Sequence, residues 1–294
     1  MPRSLKQKIA GALAGSPLLR RNEAIFAENL KNWYLPLSKA GKLKLGLWLI
    51  LRDYSRGIFP PHFLDQQKAY QAEKDYRFSI PGVMATDVSH SNMTKPFWPG
   101  IALQMYLKDF SQVVRCLEMT GTNPPAKVLE LGCGGGWMAE FLATLGYDIC
   151  GTTIAEDDIQ DANRRIQSLA AKGLAPTLKF VSSPMESVHE AVTPGTFDAV
   201  MVYEALHQAF DWRAALRSSH ACLKPGGWLL VCKEPNLLHT CISYRVARLT
   251  NTHEIGFSKS ELIAELLRAG FRTVKSTGPK LHCWVGSHWL LAQK

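Results

Sequence analysis

The stretch Val128-Leu129-Glu130-Leu131-Gly132-Cys133-Gly134-Gly135-Gly136-Trp137 decides the fold. A short apolar run leads into a turn with four glycines in five positions, and a helical pattern follows. Glycine takes positive φ without a Cβ penalty, so such a turn brings backbone close to a ligand. The helix behind it points N–H groups and a positive dipole end at the same place. One tight turn needs one such glycine; four together point to a nucleotide-like group. Counted from Gly134, the spacing Gly134-x-Gly136-x-x-Ala139 also suits a pyrophosphate, whereas counted from Gly132 the third position is blocked by Trp137. Glu130 adds a constraint: a carboxylate inside a strand is costly unless donors reach it, and a cationic, amine-bearing ligand would supply them.

Working outward, apolar runs alternate with amphipathic segments. Ile101–Met119 has the spacing of a helix, and strands are expected at Lys127–Leu131, Tyr147–Gly151, Thr177–Val181, Phe197–Tyr203, Trp228–Lys233, Phe271–Ser276 and His288–Ala292. Helices are expected at Trp137–Leu145, Glu156–Ala171, Trp212–Leu223 and Ser258–Ala269, with Lys224-Pro225-Gly226-Gly227 read as a stop. The pattern implies an α/β domain, doubly wound and Rossmann-like, with seven strands in a mostly parallel sheet. Ligands of such sheets lie beyond the carboxyl ends of the strands, at the switch in strand order. The Pro-containing stretch Thr94–Gly100 suggests a boundary, dividing the chain into a helical basic extension (1–96) and the main domain (97–294).

Composition is globular, 46% hydrophobic and 20% charged over 294 residues. The net charge of +9 is local: residues 1–60 hold 11 Lys/Arg against three acids (+8), and the rest hold 23 against 22 (+1). The seven cysteines are odd in number, form no C-x-x-C pair and fall mostly in apolar runs, so neither a disulfide framework nor a zinc site is expected. No apolar run is long enough to span a bilayer. Residues 1–22, basic and free of acids, have a faint likeness to a targeting peptide.

The motifs carry a family resemblance. VLELGCGGGW resembles motif I of class I S-adenosylmethionine-dependent methyltransferases. FDAVMVYEALHQAFDW is similar to the F-D-x-V-x-x-x-E-x-L-H-H-x-x-D segment of small-molecule methyltransferases, including those of ubiquinone and menaquinone biosynthesis. LKPGGWLLV and SKSELIAELLRAGFRTV are similar to the family's fifth strand and its last helix and strand, so the likeness covers 97–294 in order. It implies that Glu130, Gly132, Cys133 and Gly134 meet the cofactor's methionine and ribose, and that Ser183, Pro184, Met185 and Glu186 lie near its adenine. Met185 reads equally well as core. Tyr203 joins the cofactor residues. Where the family usually has an acid for the ribose hydroxyls, this chain has Thr153; the local pattern is closer to cyclopropane fatty acid synthases, which points to Thr153 with Asp158, and to Glu156 and Asp157 in reserve.

For the acceptor, the candidates are His207 after strand four with Glu204 beside it, His239 after strand five, and the pair His253-Glu254 before the last helix. A base is needed only when the acceptor has a proton to lose, a task that suits histidine; each of these also reads as a hydrogen-bonded structural side chain. The expected activity is methyl transfer from S-adenosyl-L-methionine to a small molecule, a metabolite, sugar or lipid-like compound, with oxygen ahead of nitrogen and carbon. The location expected is cytoplasmic or membrane-associated.

In the extension, helices are expected at Glu23–Trp33, Lys42–Arg56 and Phe63–Tyr76. Lys42–Arg56, apolar with basic ends, reads as part of a cap over the active site or as an interfacial helix on an anionic membrane. Nucleic acid is disfavoured, because the basic residues alternate with aliphatics and the main domain is neutral. The rivals are an NAD-dependent oxidoreductase and a catalytically silent cofactor-binding partner protein.

Overall fold

The computed structural model describes residues 21, 24, 27, 38–59, 65–75, 84–250, 252, 256–277 and 285–294. His253, Glu254 and most of the expected helix over Glu23–Trp33 lie outside them. The chain forms two compact units, one of Met1–Val83, Pro235–Gly256 and Trp284–Gly286, the other of Met84–Glu234, Phe257–Cys283 and Ser287–Lys294. Residues 84–96, assigned to the extension by the sequence, belong to the second unit.

The second unit is an α/β sandwich. Its strands are β1 (Lys127–Leu131), β2 (Asp148–Thr153), β3 (Leu178–Ser182), β4 (Phe197–Tyr203), β5 (Leu223–Pro235), β6 (Thr273–Ser276) and β7 (Ser287–Gln293), in the order β3-β2-β1-β4-β5-β7-β6. β1 pairs in parallel with β2 and β4, β2 with β3 and β4 with β5, while β6 and β7 are antiparallel. Strand order reverses between β1 and β4, which places the ligand crevice at their carboxyl ends.

Alternation along the strands makes two cores. Leu129, Leu131, Val200, Val202, Leu229 and Val231 share one face with Leu216, Leu262 and Leu266. Val128, Ile149, Ala199, Met201, Tyr203 and Leu230 share the other with Val113, Leu117, Met138 and Leu142. Side chains two residues apart point the same way in a strand, so Glu130 shares the face of Val128. The covering helices of this unit are α3 (Ala85–Thr94), α4 (Ile101–Met119), α5 (Trp137–Thr144), α6 (Glu156–Ala171), α7 (Val188–Ala191), α8 (Trp212–Cys222) and α10 (Lys259–Arg268).

β5 starts earlier than the sequence suggests. Lys224-Pro225-Gly226-Gly227 does not end the chain's extended course, because Gly226 N–H donates to the Lys294 carbonyl and Lys294 N–H to that of Gly227. A bulge between Phe197 and Ala199 absorbs the irregularity.

The first unit contains α1 (Lys39–Arg56), α2 (Gln66–Asp75) and α9 (Thr240–Thr250). Ser38 caps α1 by accepting from Gly41 N–H at 3.1 Å. Leu45, Trp48 and Leu49 pack with Tyr244 of α9. Gly46 allows the close crossing, since a Cβ there would lie 1.8 Å from the Cys241 carbonyl oxygen. Buried Asp53 ties the pair, accepting from Tyr244 Oη at 2.9 Å and facing Arg52 at 2.8 Å and Arg248 at 3.0 Å.

Candidate active site

The glycine turn closes β1 onto α5. Cys133 N–H donates to the Thr152 carbonyl and Gly136 N–H to the Cys133 carbonyl, while Gly132 and Gly134 have φ of 66° and 52°. A Cβ on Gly132 would lie 2.6 Å from Ala205 Cβ and 2.7 Å from Met185 Cε, so the segments after β3 and β4 press on the turn. On its other side lies α3: a Cβ on Gly135 would come within 2.8 Å of Asn92 Cβ.

Arg165 of α6 locks this arrangement. It is buried, and its guanidinium donates to the Gly135 carbonyl at 2.7 Å, to the Lys95 carbonyl at 2.7 Å and to the Asn92 carbonyl, and pairs with Glu140. A planar fork with five donors serves such dispersed acceptors where a lysine could not.

Glu130 is 3% exposed. Burial pushes its carboxyl up to about 8, against the charge of Lys95 and the N–H of Ala139, both of which lower it. Its Oε2 has no hydrogen-bond partner. The Lys95 ammonium lies 4.7 Å from the Tyr106 ring centre and 5.9 Å from that of Trp137. Tyr106, Trp137 and Tyr203 meet edge to face, 5.5 and 6.0 Å apart. An aromatic wall, a buried acid and a cation therefore converge beside the glycine turn, a set suited to a zwitterionic group.

At the ends of β4 and β5, Glu204 and Lys233 both have positive φ, 49° and 57°. Non-glycine residues seldom adopt this conformation, and it concentrates at functional sites. Here it breaks the two-residue alternation. Lys233 turns to the face of Tyr203, where its ammonium is 2.7 Å from Asp109 and 3.4 Å from Glu204. The Tyr203 hydroxyl donates to Asp109 at 2.8 Å, and burial together with the charges of Glu204 and Asp109 raises its pKa well above the ordinary value. Glu234 turns to the opposite face, beneath the β4 turn. It is fully buried and accepts from the N–H groups of Ala205, Leu206 and His207, and it lies 2.9 Å from His207 Nδ1.

Thr153, at the end of β2, accepts from Ala155 N–H at 3.4 Å. Asp158 accepts from Asn92 Nδ2 at 2.8 Å, and the same amide reaches Asp161 at 2.9 Å. Pro184 precedes a short turn, Met185–Ser187, in which Glu186 accepts from Asp211 N–H at 3.0 Å. Cys133 is buried within the turn. The structure thus gathers Glu130, Gly132, Cys133, Gly134, Met185 and Tyr203 around the ends of β1 and β4. His239 belongs to the other unit. Lys95, Asn92, Arg165, Asp109 and Glu234 are additions that the sequence reading missed. Only Glu234 carried a signal, an acid at the end of a buried strand, of the kind that singled out Glu130. An open depression of about 520 Å³ lined by Thr122, Asn123, Asp198, Lys224 and Trp228 lies at the amino ends of β1 and β4, away from the glycine turn. For a parallel sheet that is the wrong end.

Comparison with known proteins accords with this geometry. The family described as "Methyltransferase domain" matches residues 106–276, more than half of the chain. The ubiquinone biosynthesis O-methyltransferase of Bordetella avium is 30% identical over 162 residues, covering 52% of this chain and 65% of that one. The enzyme of the same name from Albidiferax ferrireducens is covered over 39% of its length, so the chain spans about half the length of the curated relatives it matches. Among solved structures, the magnesium protoporphyrin IX methyltransferase of Synechocystis PCC 6803 superposes with a TM-score of 0.56 at 16% identity, covering 78% of this chain and 100% of that one. The [4+2]-cyclase SpnF does so with 0.56 at 18% identity, covering 80% and 97%. These likenesses show the fold, which by itself does not fix the chemistry. The ordered motifs, the strand order and the family match agree, and the chain is a member of the methyltransferase domain family, of the class I, S-adenosylmethionine-dependent kind that its sequence resembles.

Proposed function

We propose that the chain transfers a methyl group from S-adenosyl-L-methionine to a hydroxyl oxygen of a small-molecule acceptor. The observation that carries the cofactor half is Glu130, a buried carboxyl group with an unpartnered oxygen beside the glycine turn. An α-ammonium answers that oxygen, and Lys95 is the partner for the α-carboxylate. A pyrophosphate at the same turn would face a buried acid, which counts against a dinucleotide. When bound, the cofactor supplies a methyl on a sulfonium centre and departs as S-adenosylhomocysteine.

The protein's share is alignment and proton removal. His207 would take the proton of the acceptor O–H while the bound cofactor supplies the methyl group. Oxygen is preferred because His207 lies against a carboxylate, which suits a base, and because the Bordetella avium relative is named for O-methylation in ubiquinone biosynthesis. Tyr203, Glu204, Asp109 and Lys233 form the polar rim on the other face of the strand ends.

The test is transfer of labelled methyl to a panel of simple phenols, catechols, amines and thiols, with H207N alongside. Phenols and catechols are expected to accept methyl, and H207N to lose at least 100-fold in kcat, within the usual range for general bases. Transfer to amines alone, or full activity in H207N, would refute the acceptor half.

The surface of the other unit supports membrane contact. Leu43, Leu47 and Leu51 of α1 are 39%, 43% and 45% exposed at four-residue spacing, and Leu237 and Leu238 are 55% and 45% exposed. The one acid of α1, Asp53, is buried, while Lys44 and Arg56 are exposed. A stripe of exposed leucines edged by cations fits an anionic bilayer surface. No helix among the described residues is long and apolar enough to cross one. The full chain should float with phosphatidylcholine vesicles containing about one third phosphatidylglycerol and not with phosphatidylcholine alone; L47S/L51S should remain in solution. Equal recovery on both vesicles, or no effect of the substitutions, would contradict this.

A further inference from the structure

Glu234 lies wholly inside the protein, at the end of β5. Its Oε1 accepts from Ala205 N–H at 2.8 Å and Leu206 N–H at 2.9 Å. Its Oε2 accepts from His207 N–H at 3.2 Å and lies 2.9 Å from His207 Nδ1. The positive φ of Lys233 is what delivers it there. Val231 and Cys232 follow the strand's alternation, facing opposite cores; the left-handed step at Lys233 then sends Glu234 under the β4 turn. A carboxylate offers only lone pairs, so the imidazole nitrogen against it must be the donor. Holding the proton on Nδ1 leaves Nε2 as the basic nitrogen, because the bond made by one ring nitrogen sets the state of the other.

We infer that Glu234 is a positioning residue: it fixes His207 as the Nδ1–H tautomer and orients Nε2 to take the acceptor's proton. The inference rests on the reading of His207 as the base. In the transfer, the acceptor's proton ends on Nε2, Nδ1 keeps its own, and the Glu234 carboxylate against the ring stabilises the imidazolium. Among the described residues, the charged groups near this turn have partners of their own: Lys233 with Asp109 and Glu204, Arg213 with Glu261 and Glu265, Arg217 with Asp211, and Glu186 with the Asp211 N–H. A carboxylate that only anchored the turn through backbone N–H groups would leave the ring's titration to solvent.

The experiment uses the full chain labelled with ¹⁵N-histidine, with the His207 resonances identified by their loss in H207N. In the wild type the neutral ring should read Nδ1 protonated and Nε2 unprotonated. In E234Q the tautomer should shift toward Nε2–H and the His207 pKa should fall by about one unit, the effect of losing an adjacent opposite charge. A neutral ring that is Nε2–H in the wild type, or an E234Q spectrum with unchanged tautomer and pKa, would overturn the inference. If far-UV circular dichroism shows E234Q unfolded, E234D replaces it with the same expected direction, and the wild-type tautomer decides independently. Transfer to the best phenol of the panel separates two failures. H207N acting at the wild-type rate removes the base reading and with it the catalytic purpose of the Glu234 contact, whatever the tautomer. H207N inactive with an unchanged kcat–pH profile in E234Q removes the role of Glu234 alone.

Discussion

Binding of the cofactor should expel a proton from Glu130, and the size of the effect follows from its surroundings. With its carboxyl pushed up to about 8, about nine tenths of the free protein carries a neutral Glu130 at pH 7. An ammonium against the orphan oxygen lowers a carboxyl by about 1–3 units. The bound value then lies near 5–7, and roughly 0.4–0.9 proton leaves per ligand at pH 7. Ionising the group at pH 7 costs about 1.4 kcal/mol, against about 1.5–3 kcal/mol for a charge-assisted hydrogen bond. The net gain is only about 0–1.6 kcal/mol, so E130Q should weaken S-adenosylhomocysteine binding by no more than about 15-fold at pH 7. The proton count is therefore the sharper readout. Calorimetric titration in buffers of different ionisation enthalpy measures it, with 5′-methylthioadenosine, which lacks the amino-acid end, as control. Release with S-adenosylhomocysteine, none with methylthioadenosine and none in E130Q is the expected pattern. Equal proton counts for wild type and E130Q would refute the reasoning.

The same group affects stability. Its folded pKa is raised, so the stability it contributes is present below the unfolded value near 4.5 and is lost as pH rises through about 8; unfolding free energy should favour E130Q over wild type by on the order of 2–3 kcal/mol at pH 7, and the two should converge near pH 4, a divergence absent from denaturant titrations being the contrary result. K95M should weaken S-adenosylhomocysteine by about tenfold, through loss of a charge partner, and leave methylthioadenosine within about twofold; equal losses for both would remove Lys95 from the amino-acid end. R165M strands Glu140 and the carbonyls of Gly135, Asn92 and Lys95, which should cost about 3–5 kcal/mol and lower Tm by on the order of 10 °C, with R165K recovering only part because one ammonium cannot span acceptors on three segments; an R165K indistinguishable from wild type would contradict the fork geometry.

Much of the sheet was legible because its strands are short β-branched and aliphatic runs bounded by glycine. Phe197–Tyr203 and Lys127–Leu131 fall where the pattern puts them, as do the helices Ile101–Met119 and Glu156–Ala171. β5 was read short because Pro225 and two glycines look like a stop; pairing with the C-terminal residues overrides that local signal. α3 was invisible for another reason: ATDVSHSNMT is rich in residues that compete with the backbone for hydrogen bonds and carries little apolar periodicity. Its stability comes from partners some 70 positions away, Asp158, Asp161 and Arg165. The glycine turn and Glu130 announce themselves locally. Lys95 and the pairing of Glu234 with His207 do not, since they arise only when α3 meets the turn and β5 lies beside β4. The left-handed residues Glu204 and Lys233 carry no compositional mark at all, because outside glycine that conformation is enriched in Asn, Asp and His rather than in Glu or Lys.

The most direct test of the account is a crystal structure of the full chain grown with S-adenosylhomocysteine. The nucleoside is expected against Gly132–Gly136, with its ammonium nitrogen within about 3.2 Å of Glu130 Oε2. An empty turn, or a ligand whose amino-acid end lies away from Glu130, would contradict it.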